Sequence, residues 1–110
     1  MQAIDGMNIT LTRGDTLAFE VGMKKGNQTY TPVEGDKLRF ALSIGYVGEQ
    51  GYQLIKSQDI DTTTRLVVVD AETTAGWTED EYNYDIELTY ADGKVDTFIQ
   101  GMVFMVGECE

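Results

Sequence analysis

The sequence predicts an all-β fold of two packed antiparallel sheets, and three observations carry that reading. Apolar and polar residues alternate along most of the chain, sustained helical spacing is missing, and Gly-Asp or Asp-Gly pairs interrupt the alternation. A period of two sends one face of each strand into a core and the other toward solvent. About seven such strands can be read, at the spacing expected of a sandwich. The connections are too short for the crossover helix of about a dozen residues that a parallel α/β sheet requires. A small closed β-barrel is the alternative, because closure removes exposed edges without changing the alternation.

The elements follow in order. Ile9 and Leu11 alternate with Asn8, Thr10 and Thr12, and Arg13-Gly14-Asp15 turns the chain into Leu17, Phe19 and Val21. Arg-Gly-Asp also spells a receptor-recognition tripeptide, but a Gly-Asp turn between two strands accounts for it. Lys24 to Gln28 is polar and reads as a loop. After Pro32 and the Gly35-Asp36 turn, Leu38, Phe40, Leu42 and Ile44 alternate with Lys37, Arg39, Ala41 and Ser43, until Gly45, Gly48 and Gly51 break the pattern. Strands near Tyr52 to Ser57 and Arg65 to Asp70 come next, and Ala71 to Glu81 is the place for a helical turn. The clearest strand sets Tyr82, Tyr84, Ile86, Leu88 and Tyr90 against Asn83, Asp85, Glu87 and Thr89. Ala91-Asp92-Gly93 then forms a hairpin turn into a final strand from Lys94 to about Val106.

The 110 residues (12.2 kDa) fit one domain spanning 1–110, with no room for a second core. Cys109 has no cysteine to pair with and reads as an incidental tail residue. Apolar runs such as Leu66 to Val69 are too short to cross a bilayer, and Met1 leads into no secretory signal, so the chain is expected to be cytoplasmic when made. Eight Lys and Arg stand against 19 Asp and Glu, a net charge of −11 that repels phosphate backbones and anionic lipids. The expected partners are therefore proteins, itself among them, with no nucleic acid and no membrane.

Histidine is absent, which removes the usual zinc sites and the Ser-His and Cys-His nucleophile pairs. Asp85 and Glu87 fall on the polar face of a strand, where solvation is the expected state. The chain is read as non-enzymatic, with no catalytic residue and no cofactor. Asp59, Asp61, Asp70, Glu72 and Glu79-Asp80-Glu81 offer hard oxygen ligands, yet their spacing matches no EF-hand loop. Calcium-dependent interaction stays open as an alternative, although no metal-ligating residue is assigned.

Three residues are candidates for an interaction surface. Trp77 either caps one end of the core or stands exposed as a recognition residue. The final strand runs longer than its hairpin partner, and Met102 to Val106 is apolar on both alternating faces. Either that end pairs with the first strand near Met7 to Leu11, or Val103 and Met105 meet another subunit.

From Gly76 the run Gly-Trp-Thr-Glu-Asp-Glu-Tyr-Asn-Tyr-Asp-Ile-Glu-Leu, followed by Asp92-Gly93, Thr97, Gly101 and Phe104-Met105-Val106, resembles the end of small phage virion domains. It is similar to the N-terminal β-sandwich of siphophage baseplate upper proteins and related prophage tail modules, and Arg13-Gly14-Asp15-Thr16 leading into Leu17 and Phe19 fits the beginning of that family. Here five residues, Trp77 to Glu81, separate the Gly from the first Tyr, a departure from the family's pattern. Tyr82 also resembles the tyrosine corner of immunoglobulin-like sandwiches, with Tyr84 where antibody domains carry a disulfide cysteine. The resemblance implies an immunoglobulin-like structural module of a virion tail or baseplate that works through protein–protein contacts. A bacterial surface or carbohydrate-binding module is the alternative.

Overall fold

A computed structural model describes residues 2–5, 7–25, 28–45 and 48–107, so Cys109 lies outside the described residues. The seven strands read from the alternation are present: β2 (Asn8–Thr12), β3 (Leu17–Glu20), β6 (Lys37–Ile44), β7 (Gln53–Ile60), β8 (Leu66–Val69), β9 (Glu81–Thr89) and β10 (Val95–Val106). Three short strands join them: β1 (Gln2–Asp5), β4 (Lys24–Lys25) and β5 (Gln28–Thr29). The last two pair as a small hairpin where a plain loop was expected.

The large sheet has the order β1-β2-β10-β9-β6-β7, and β3 pairs with β8 in a second sheet. The large sheet is open, ending at β1 and β7, which excludes the closed barrel. It is also mixed rather than purely antiparallel. β10 runs parallel to β2, with Val103 opposite Ile9 and Met105 opposite Leu11. Alternation encodes which face of a strand is buried but not the direction of its neighbour, so a parallel pair leaves the same sequence pattern.

The two sheets share one core. Tyr82, Tyr84, Ile86 and Leu88 of β9, Leu38, Phe40 and Leu42 of β6, and Ile9 and Leu11 of β2 meet Leu17 of β3 and Val67 and Val69 of β8. Phe19 packs edge-on against Phe40 and Tyr84, with centroid separations of 6.2 and 6.3 Å.

Two bulges break the regular register. In β10 the extra residue is Phe98, between Thr97 opposite Glu87 and Ile99 opposite Ile86. The shift turns Ile99, Gly101, Val103 and Met105 inward and lets Phe98 stack on Tyr30 at 6.0 Å. In β7 the extra residue is Ile55, which leaves Leu54 opposite Ser43 on the outward face.

The helical turn expected within 71–81 is α1 (Ala71–Ala75). Asp70 caps it, accepting from the Thr73 N–H at 2.8 Å, and hydrogen bonding from the Thr73 side chain, then from that N–H, holds the Asp70 carboxyl below the usual carboxylate range. Buried Thr74 donates to the Asp15 carbonyl at 2.7 Å and so fastens the helical turn to the turn between β2 and β3. Among the described residues no helix is long and apolar enough to cross a membrane.

Candidate functional site

All three candidates for an interaction surface lie in the core. Val103 is 0% exposed, Met105 5% and Trp77 3%. For Val103 and Met105 the cause is the parallel pairing with β2, together with the Phe98 bulge that turns them inward. The end of β10 is also held on its other side, where the Met105 N–H donates to the Asp80 carbonyl at 2.7 Å. Trp77 packs against Tyr82 at 6.1 Å. Its carbonyl accepts from Arg13 Nε at 2.9 Å, and Arg13 also donates to the Glu79 carbonyl at 3.1 Å. The Arg13 guanidinium of the Arg-Gly-Asp turn is thus engaged with the segment leading into β9.

Some of the acidic loop side chains serve as local caps. Asp61 accepts from the N–H groups of Thr63 and Thr64, at 2.7 and 3.2 Å. Asp92 accepts from the Lys94 N–H at 3.0 Å. Among the described residues no three acidic or cysteine side chains converge on a point that could hold a metal ion.

Buried Asp36 ties two loops together. It accepts from the Tyr30 hydroxyl at 2.5 Å, the Val33 N–H at 3.0 Å and the Ala91 N–H at 3.2 Å. The bond to Asp36, with smaller help from burial, pushes the Tyr30 phenol up to about 12. Tyr30 in turn packs against Tyr90 and Phe98, so this cluster clamps the 31–36 turn onto the last hairpin.

The feature with the shape of a binding site lies on the outward face of the large sheet. Small residues at outward positions of β6, Ala41 and Ser43, lower the floor of a groove of about 480 Å³. Tyr52 and Leu54 form one wall, the latter turned outward by the β7 bulge, and Met102 of β10 forms the other. Asp85 stands in the middle strand, opposite Ala41 on one side and Gln100 on the other. Its Oδ1 is sealed from solvent and receives no hydrogen bond. Burial raises the Asp85 pKa above the ordinary carboxylate value, neighbouring Glu87 adds to the rise, and Arg39 opposes it. Arg39 instead approaches Glu87, at 3.8 Å. The other polar group on the floor is satisfied, since the Asn83 amide donates to the Gly45 carbonyl at 2.8 Å.

Asp85 was expected to be a simply solvated residue of a polar face, and the structure corrects this. The signal available in the sequence was the pair of small residues, Ala41 and Ser43, at outward positions of a strand whose first outward residues, Lys37 and Arg39, are long. Small side chains there let the flanking strands' side chains rise above the floor. Compared with known protein families and with curated proteins, the chain matches none.

Proposed function

We propose that this chain is a non-enzymatic assembly module of a phage or prophage virion, an immunoglobulin-like sandwich that joins tail or baseplate proteins through protein–protein contacts. The observation that carries the reading is an apolar outward face on the small sheet. Leu66 and Val68 alternate outward on β8 at 48% and 53% exposure, with Glu20 opposite Leu66 and Ala18 opposite Val68. Exposed apolar side chains of this kind are a usual basis for association.

The strand order supports the immunoglobulin-like part of the proposal. Taking β10, β9, β6 and β7 as strands G, F, C and C′, and β3 with β8 as B and E, reproduces the two layers of such sandwiches, with β2 added beside G. Tyr82 near the start of β9 accepts from the Glu79 N–H at 2.9 Å, a local bond of the kind a tyrosine corner makes. The resemblance of 76–106 to siphophage baseplate modules supplies the virion context.

Reconstitution tests the proposal. Wild-type protein mixed with the tail proteins encoded beside it should assemble, while Val68→Asp should stay free and melt as the wild type does, because Val68 faces solvent. Assembly of Val68→Asp to the wild-type extent would contradict the role of this face.

A further inference from the structure

We infer that the groove on the outward face of the large sheet is a saccharide site, which takes a pyranose sugar carrying an N-acetyl group. It lies apart from the assembly face on the small sheet and shares no residue with it. At about 480 Å³ the groove falls within the range of about 300–1,000 Å³ usual for small-molecule sites. Its floor is the middle of the sheet. β6 pairs with β7 and β9, and β9 with β6 and β10, so the backbone N–H and C=O groups there are spent on the ladders. A peptide cannot add to this face as a strand, and recognition falls to the side chains.

Those side chains select a neutral ligand. Arg39 is engaged with Glu87 at 3.8 Å, and a net charge of −11 repels anions. The sealed Oδ1 of Asp85 is out of a cation's reach. What the groove does offer is a polar floor between apolar walls. The Asn83 amide gives one N–H to the Gly45 carbonyl and keeps its oxygen and second N–H. The Ser43 hydroxyl is 3.5 Å from the same carbonyl, too far for a good bond, and the Gln100 amide stands across the floor on β10. Tyr52, 37% exposed, and Leu54 form one wall and Met102 the other. A pyranose has the same division, with edge hydroxyls that donate and accept and C–H faces that are apolar. Its hydroxyls meet the amides while a C–H face covers Tyr52. The N-acetyl group adds a methyl for Leu54 or Met102 and a planar amide that exchanges hydrogen bonds with Asn83 or Gln100.

The test is an NMR titration of the full chain with N,N′-diacetylchitobiose and, separately, with maltose, a disaccharide that lacks the acetyl groups. Chitobiose should saturate, with shifts concentrated at Ala41, Asn83 and Gln100, and maltose should bind at least about fivefold more weakly. Tyr52→Ala should weaken chitobiose by about tenfold and Gln100→Ala by about fivefold. Both variants should melt close to the wild type, because both side chains are exposed. Asp92→Asn, in the hairpin turn, should leave the affinity unchanged. No saturation below about 50 mM chitobiose, maltose binding as tightly, or an unchanged affinity in Tyr52→Ala would each overturn the inference. So would shifts at the same residues on dilution without sugar, which would mark a second copy of the chain on this face. Any of these results leaves the assembly reading standing, since that reading concerns other residues.

Discussion

Gly101→Ala should cost about 3 kcal/mol of stability, and the figure follows from what surrounds this glycine. Gly101 lies opposite Tyr84 on the inward face of β10, where the Tyr84 ring crosses over it and the phenol donates to the Met7 carbonyl. A Cβ on residue 101 would sit 2.9 Å from Tyr84 Cε1 and well inside van der Waals contact of the Met7 carbonyl oxygen. A ring can tilt, but a backbone carbonyl just ahead of β2 cannot yield without moving that strand. Overpacking of this kind costs about 1–3 kcal/mol, and displacing Met7 also forfeits the Tyr84 hydrogen bond, worth about 1 kcal/mol. Urea denaturation should show a lower midpoint at unchanged slope, and the melting temperature should fall by roughly 10–20 °C. Gly22→Ala is the matched control, since an added Cβ there meets nothing within 4 Å, and it should be neutral or slightly stabilising. A Gly101→Ala protein within about 0.5 kcal/mol of wild type would refute the close approach of Tyr84 and Met7 over this residue.

Leu88→Ala should cost about 2–5 kcal/mol, because the side chain is fully buried, while outward Glu87→Ala should change stability little; equal losses in urea melts would contradict the register of β9. Asp36→Ala should cost about 2–4 kcal/mol by stranding three donors, and spectroscopic titration at alkaline pH should show the Tyr30 phenol returning from about 12 toward its ordinary value. Asp85→Asn should raise the melting temperature at pH 7. The folded Asp85 pKa is raised, so its charge opposes folding above that pKa, and the gain from Asn should shrink as pH falls and vanish below the unfolded carboxylate value. A gain that is constant from pH 7 to pH 3 in calorimetry would argue against a desolvated carboxylate.

Much of the fold was written locally in the sequence. The residues of β9 that alternate as Tyr82, Tyr84, Ile86 and Leu88 are all buried, and the turn glycines Gly14, Gly35 and Gly93 take φ values of 90°, 94° and 92°, in the region that favours glycine. What escaped was set by long-range pairing. Pairing of the end of the last strand with the strand near Met7 to Leu11 was one of the two outcomes expected and is the one observed, but alternation states a face and not a direction, so the parallel sense of the β2–β10 ladder and the added β1 strand carried no local mark. Met102 to Val106 is apolar at every position, and only the bulge at Phe98 decides that Val103 and Met105 point inward while Met102 and Phe104 point outward. The groove escaped for a related reason. Asp85 becomes half-buried because strands distant in sequence bring Tyr52, Leu54 and Met102 up around it, and a polar residue in an alternating strand otherwise reads as solvated.

The central claim is that this chain is a structural component of a virion, and quantitative mass spectrometry of purified particles tests it most directly. Particles induced from the strain that encodes the chain should contain it at a fixed copy number relative to the tail proteins, retained through density-gradient purification. Its absence from intact particles, with the protein found only in the soluble fraction of the same cells, would contradict the account.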